Sequence, residues 1–396
     1  MCVESTRATA TRTWPLLLAV LAGLLRGLVA CGWFGIQTWI GGAAIYQLLL
    51  AWAPGLADSP WLGDFIGLNL GQLFCFLLFW GMNIYIIYRG IESLKMLETW
   101  AAPFLLLIGI GLLVWAWMRV GSMGDILAAS YMLGAESKVS FWKIFWPGLT
   151  AMVGFWATLS LNIPDFTRYA KSQKDQIIGQ IIGLPGTMVL FSYIGIAVTS
   201  ATLLIYGEAI WDPVALMARF DSPGTVAISM IGLTIATLTT NIAANVVAPA
   251  NSIANIMPDK ISFRMGGYIT GIIGILIFPW KLLADPQGYI FVWLIAYSAL
   301  LGSLAGIMIC DYFVVHKTRL HLAELYKPDG RYRGWNLRAW VAFTVGLLPV
   351  LPGFLATVGA LPAQSVSAFW TDLYSYAWFV TFLLSFVVYW LLSKMR

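Results

Sequence analysis

Charged side chains are scarce in this sequence. Asp, Glu, Lys and Arg make up only 10% of its 396 residues, whereas a soluble domain carries about 25% charged residues. A chain that is 60% hydrophobic cannot present a polar surface to water on all sides. The composition therefore excludes an ordinary soluble fold and indicates that lipid is the solvent.

Cysteine and histidine are also few. The four cysteines lie far apart, without the spacing of a disulfide framework or a metal site, and we interpret them as packing residues. The two histidines, His316 and His321, lie in one basic loop. Because the sequence shows no cluster of histidines or carboxylates, we expect neither enzymatic chemistry nor a bound cofactor.

Long apolar runs, by contrast, recur along the chain. Each run has about eighteen or more residues, enough to cross a hydrocarbon layer of about 30 Å as a helix. They predict an all-α polytopic membrane protein with about ten transmembrane helices. The predicted spans are 24–53, 65–88, 99–118, 144–163, 178–205, 223–247, 266–284, 289–314, 339–360 and 370–393.

The distribution of Lys and Arg predicts the orientation of these spans, because cytoplasmic loops collect positive charge. Of the 23 Lys and Arg residues, 17 fall on one side and 5 on the other, while Arg26 stands at the start of a span. Both termini are therefore predicted to be cytoplasmic. This bias accounts for most of the net charge of +5, so the charge does not indicate a nucleic-acid partner.

The polar residues inside the predicted spans are amides and hydroxyls rather than charges. A polar group without a partner in lipid is costly, so such residues face the protein interior and are candidates for a functional site. They suit a neutral solute that forms hydrogen bonds. The set is Gln37, Asn69, Gln72, Asn83, Asn162, Thr239, Thr240, Asn241 and Asn245.

The first span places an indole and an amide on one helical face. Trp33 and Gln37 are four residues apart, and Gly41 follows one turn later. A flat heterocycle can stack on an aromatic plane, which contributes about 1–3 kcal/mol per base in nucleic-acid complexes, while an amide pairs with its ring edge. The alternative is ordinary helix packing, since Trp is abundant and Gln often joins helices.

The fourth span contains residues that interrupt helices. Pro147 and Gly148 stand near its start, and Phe155 and Trp156 follow in its middle. Pro and Gly free backbone groups, and membrane proteins build ligand sites from interrupted helices. The alternative is a kinked helix with a tryptophan that faces lipid.

The sixth span is the richest in polar groups. Asn241 and Asn245 share one face, and Pro249 clashes with the Asn245 carbonyl, so the helix is expected to loosen there.

One turn earlier in the sixth span, oxygen ligands for an alkali cation are clustered. They are the carbonyl of Ala236 and the hydroxyls of Thr239 and Thr240. The hydroxyls could instead bond back to the helix carbonyls.

At these places the sequence resembles the nucleobase:cation symporter family, type one. Members of this family carry cytosine, purines, uracil, allantoin, hydantoins, thiamine or pyridoxine. The similarity covers almost the whole chain from about residue 24 onward, and IPDFTRYAKS is nearer to the allantoin and uracil branch than to the cytosine branch. The matching strings are WFGIQTWIGG from Trp33, GFWATLSLNIPDFTRYAKSQ from Gly154, TTNIAANVVAPAN from Thr239, FPWKLL from Phe278 and LAGIMICDYF from Leu304.

The resemblance implies a five-plus-five inverted-repeat fold with two further helices, twelve spans in all, in the cell (plasma or inner) membrane. Residues 24–396 would form this transporter domain with about ten of the twelve helices. Residues 1–23 do not resemble the family's first two helices, so the chain starts, in effect, at the family's third span.

The resemblance also implies residue roles. Trp33 and Trp156 would sandwich the heterocycle, and Gln37 and Asn245 would hydrogen-bond its edge with support from Asn241. Phe155 stands where some relatives have a small residue. Part of a sodium site would come from Ala236, Thr239 and Thr240, although some members are thought to use protons.

These observations predict a secondary active transporter, a cation symporter of a nucleobase or related heterocycle such as allantoin, uracil or a purine. Its expected partners are this substrate, a coupling cation and the lipid bilayer. The alternative is a truncated remnant of such a permease, which inserts in the membrane but does not transport.

Overall fold

The computed structural model describes residues 17–89, 91–135, 140–161, 163, 167, 170–257, 259–285, 288–321, 324 and 336–395. This part of the chain is helical apart from loops and one isolated bridge between Trp61 and Asn69, so the predicted all-α fold is confirmed. The helices are α1 (Leu17–Leu50), α2 (Leu70–Arg89), α3 (Ile91–Val120), α4 (Met123–Ala135), α5 (Phe141–Ala157), α6 (Gln173–Ile181), α7 (Thr187–Tyr206), α8 (Pro213–Met217), α9 (Pro223–Asn245), α10 (Val247–Ile256), α11 (Phe263–Leu276), α12 (Pro279–Ala284), α13 (Ile295–Ile309), α14 (Leu337–Leu347), α15 (Leu351–Thr357), α16 (Ala368–Ser375) and α17 (Ala377–Lys394).

Short non-α turns extend several of these helices. The 3-10 turns and π-helical turns matter because each changes which backbone carbonyls are paired within the helix. The 3-10 turns are Pro54–Asp58, Thr158–Leu161, Leu348–Val350 and Ala363–Ser365, and the π-helical turns are Ile182–Gly186, Gly288–Leu294 and Cys310–Val315.

Eight helical segments of the described residues are long and apolar enough to cross a membrane. The predicted fourth and seventh spans coincide with shorter helices, α5 with 17 residues and α11 with 14. Hydropathy does not detect the breaks: α5 passes into a 3-10 turn, and Phe278, with φ of 50°, separates α11 from Pro279. The eight segments are Gly23–Leu50, Leu70–Arg89, Pro103–Val120, Gln173–Tyr206, Pro223–Asn255, Phe291–Val315, Leu337–Thr357 and Ala377–Lys394.

Helix α1 is the central helix, in contact with α2, α9, α10 and α11. It begins at Leu17, seven residues before the predicted span, because the apolar run continues in that direction. Small residues let its neighbours approach closely. A Cβ atom on Gly35 would lie 2.5 Å from the Gly274 carbonyl oxygen, and one on Gly42 would lie 2.7 Å from Phe76 Cα.

Helices α13 and α17 also pack closely, with glycines of α13 against backbone carbonyls of α17. A Cβ atom on Gly302 would lie 2.5 Å from the Trp378 carbonyl oxygen, and one on Gly306 would collide with the Phe382 carbonyl. Ser303 lies between these two glycines on α13, and its hydroxyl is hydrogen-bonded to that of Ser385 on α17 at 2.6 Å. In lipid, close packing and interhelical hydrogen bonds hold helices together.

We expect Gly302→Ala to destabilise the protein by about 1–3 kcal/mol, because the new methyl group meets a backbone carbonyl that cannot move away alone. The measurement is the thermal unfolding midpoint in detergent. Gly195→Ala is the control: its methyl group would meet nothing within 4 Å, and it gives the same gain in helix propensity. Equal midpoints for the two variants would contradict the packing described for α13 and α17.

Candidate functional site

Trp33 lies in an aromatic cluster between α1, α5 and the π-helical turn Gly288–Leu294. Its ring centroid is 4.6 Å from Phe155, 5.1 Å from Trp293 and 6.0 Å from Tyr289. The Phe155 and Tyr289 rings are edge-to-face with it, a geometry that adds about 0.5–1.5 kcal/mol per pair beyond area burial. Trp33 is buried and held from three sides.

Trp156 is displaced from Trp33 in this conformation. Its ring contacts Phe155 at 5.3 Å, and within the described residues no ring contact joins it to Trp33. Successive residues on an α-helix point about 100° apart, so only one of Phe155 and Trp156 can face Trp33. A ligand between two tryptophans therefore requires Phe155 to leave its present contact.

Gln37 follows Trp33 by one helical turn on the same face of α1. Its side chain is half-buried, and it makes no hydrogen bond to the residues that the structure describes. The amide is therefore available to a ligand from that face.

A buried amide network joins α1, α2 and α9. The Asn241 amide nitrogen lies 3.2 Å from the Thr38 hydroxyl, 3.2 Å from the Asn83 amide oxygen and 3.4 Å from the Phe34 carbonyl oxygen. Asn245 in turn donates to the Asn241 amide oxygen at 3.1 Å. Asn241 thus connects three helices and orients Asn245, which makes this one side-chain hydrogen bond within the described part of the chain.

The expected break in the sixth span is present at Asn245. Helix α9 ends there and α10 begins at Val247, two residues before Pro249. The guanidinium of Arg26 donates to the carbonyl of Ala244 at 2.9 Å, next to the break. Arg26, which stands at the start of the first predicted span, is only 2% exposed.

The three oxygen ligands proposed for a cation lie on neighbouring turns of α9. Ala236 and Thr239 are buried and Thr240 is half-buried. The Thr239 hydroxyl lies 2.9 Å from the Ala236 carbonyl oxygen and 3.1 Å from that of Ile235. This is the back-bonding that the sequence left open as an alternative.

Other amides in the predicted polar set lie outside this cluster. Asn69 and Gln72 exchange side-chain-to-backbone hydrogen bonds at 2.8 and 3.0 Å, which form a reciprocal cap at the start of α2. Asn162 lies outside the described residues.

Sequence reasoning missed an aromatic stripe opposite Trp33. Tyr289, Trp293 and Tyr297 are spaced by four residues, and consecutive members have ring centroids 5.7 and 5.2 Å apart. The spacing of four residues could have predicted this stripe, because residues four apart share one helical face.

Comparison with known proteins identifies relatives over most of the chain. The family model for permeases of cytosine/purines, uracil, thiamine and allantoin matches residues 17–381. A purine-uracil permease of Arabidopsis thaliana is 43% identical over 379 residues, which are 94% of this chain and 62% of that protein. An allantoin permease of Bacillus subtilis is 40% identical over 382 residues, 96% of this chain and 75% of that protein.

A solved structure has a similar fold. It is a nucleobase-cation-symport-1 family transporter in a closed conformation with bromovinylhydantoin bound, with a TM-score of 0.64 and 22% identity. The match covers 98% of this chain and 78% of the solved one. The chain therefore spans less than two thirds of the plant relative and more than three quarters of the structural one.

We expect Asn241→Leu to cost more stability than Asn245→Leu. Loss of Asn241 leaves the Asn83 amide oxygen and the Asn245 amide nitrogen without a partner, at about 1–3 kcal/mol each, whereas loss of Asn245 leaves only the Asn241 oxygen. Thermal unfolding midpoints of the two variants in detergent measure the difference. A smaller shift for Asn241→Leu would show that the network does not hold the three helices together.

Proposed function

Because the chain belongs to the family of permeases for cytosine/purines, uracil, thiamine and allantoin, we propose that it is a secondary active transporter. It is a multi-pass membrane protein, and its substrate is a nucleobase or related heterocycle such as allantoin, uracil or a purine. Its place is the cell (plasma or inner) membrane. The observation that carries the proposal is the amide pair Asn241–Asn245 at a helix break, beside the helix that bears Trp33 and Gln37.

In this proposal the ring faces of the substrate contact Trp33 and Trp156, with Phe155 turning aside to admit it. The half-buried amide of Gln37 and the amide of Asn245 pair with the ring edge, and Asn241 positions Asn245. The cluster of described residues is rich in amides and aromatic rings, which fits a neutral planar solute that presents donors and acceptors at its edge.

The coupling cation in this proposal is sodium. Its ligands include the Ala236 carbonyl and the hydroxyls of Thr239 and Thr240. A hydroxyl that donates its hydrogen to a helix carbonyl still has lone pairs that point elsewhere. The back-bonded geometry of Thr239 is therefore compatible with a cation ligand.

Uptake into lipid vesicles tests the function. We expect vesicles that contain the 396-residue chain to accumulate labelled uracil, allantoin or hypoxanthine under an inward sodium gradient and not without one. Sodium should also tighten substrate binding at fixed pH, because two coupled ligands raise each other's affinity equally.

Each other outcome removes part of the proposal. Accumulation that follows a pH gradient alone would replace sodium by a proton. Binding without accumulation under either gradient would favour the alternative of a permease that does not transport.

Substitution of the central tryptophan tests the site. We expect Trp33→Ala to weaken heterocycle binding about 10- to 100-fold, since one stacking face contributes about 1–3 kcal/mol. Trp61→Ala is the control, because that ring lies in a loop and is 58% exposed. Equilibrium binding of the labelled heterocycle measures both, and equal affinities for the two variants would remove Trp33 from the site.

A further inference from the structure

Two buried polar atoms at the candidate site have no hydrogen-bond partner. They are the indole Nε1 of Trp33 and the hydroxyl of Tyr297, whose side chains are 8% and 6% exposed. Neither meets a donor or acceptor in suitable geometry among the residues that the structure describes. Buried groups of this kind are nearly always paired, because they have given up their hydrogen bonds to water. A bound ligand that reaches this pair of atoms would satisfy the hydrogen-bonding capacity that the described residues leave open.

Other buried tyrosines of this protein are paired. The Tyr374 hydroxyl donates to the Phe291 carbonyl at 2.8 Å, and the Tyr389 hydroxyl donates to the Asp311 carboxylate at 2.6 Å. Tyr374 belongs to the same apolar cluster as Tyr297 and Trp33. The unpaired hydroxyl of Tyr297 is thus not a general property of tyrosines in this region.

The position of Tyr297 links it to the candidate site. Its ring lies 5.2 Å from Trp293, whose ring lies 5.1 Å from Trp33. The Tyr297 hydroxyl and the Trp33 indole N–H are neighbours in this cluster. The two unpaired atoms therefore belong to the same part of the cluster.

We propose that Tyr297 is a specificity-determining residue: the Trp33 N–H donates to its oxygen, and its O–H donates to a carbonyl oxygen of the bound heterocycle. The inference rests on the proposed function, since it requires a heterocycle at Trp33. An indole N–H can only donate, whereas a hydroxyl both donates and accepts. Trp33 is therefore the donor and Tyr297 the acceptor in their hydrogen bond, which leaves the hydroxyl hydrogen of Tyr297 to donate to the ligand.

This direction selects a chemical class of substrate. A ring carbonyl accepts the Tyr297 hydrogen, while an exocyclic amino group at the same position does not. The site then prefers oxo-bearing heterocycles, such as oxopurines, pyrimidinediones and hydantoins, to their amino counterparts. The geometry remains compatible with stacking on the Trp33 face, because the N–H lies in the plane of the indole.

The test uses Tyr297→Phe in the full chain, which removes the hydroxyl and keeps the ring. The ligands are hypoxanthine against adenine and uracil against cytosine, two pairs in which an amino group replaces an oxo group. We expect Tyr297→Phe to weaken binding of the oxo ligand about tenfold, the effect of one hydrogen bond, and to change binding of the amino ligand little. The unfolding midpoint without ligand should stay the same or rise, because an unpaired buried hydroxyl is removed.

Tyr374→Phe is the matched control. It breaks an existing hydrogen bond in the same cluster, so it should lower the midpoint without ligand and leave the ratio of oxo to amino affinities unchanged.

The possible failures are distinguishable. The inference would be overturned if Tyr297→Phe bound its ligands as tightly as the wild type, or if it lost the same affinity for the oxo and the amino ligand. The proposed function would still stand in either case. A midpoint lowered as in Tyr374→Phe would assign the hydroxyl to the fold and also overturn it. Absence of binding of all four ligands and of allantoin to the wild type would overturn both.

Discussion

The hydrogen bonds of Asn241 connect the helices that carry the candidate site. Its amide reaches two groups on α1 and one on α2, while its oxygen holds Asn245. In lipid no water can replace a lost partner, so the three helices can separate here only by leaving polar atoms unpaired. Asn241 therefore helps to fix the distance between the face that bears Trp33 and the end of α9, where the two helices are also closely packed.

The backbone follows the same rule where the helices are irregular. The break after α9 and the π-helical turn Gly288–Leu294 both weaken the pairing of carbonyls within a helix. A distant side chain meets a carbonyl at each place: Arg26 donates to Ala244, and Tyr374 donates to Phe291. Irregular backbone persists inside a membrane protein where other groups satisfy it. These contacts keep two interrupted helices next to the aromatic cluster.

Local sequence patterns predicted the individual helices, but they did not predict the contacts between helices. Apolar runs predicted the long helices because the bilayer demands them, and Pro249 predicted the end of α9 because its ring excludes a carbonyl. The pairing of Trp33 with Phe155 depends on how α5 is rotated toward α1, which no local pattern encodes. The burial of Arg26 is likewise a contact between helices, because the residue donates to the carbonyl of Ala244 on α9.

The glycine contacts between α13 and α17 have a mechanical consequence. Where a backbone carbonyl rests against a glycine, sliding by a fraction of a turn drives it into the next side chain. Helices α13 and α17 are therefore expected to move together as one rigid body. Because α13 carries Tyr297 and continues from the turn that bears Trp293, a shift of the α13 backbone relative to Trp33 must carry α17 with it.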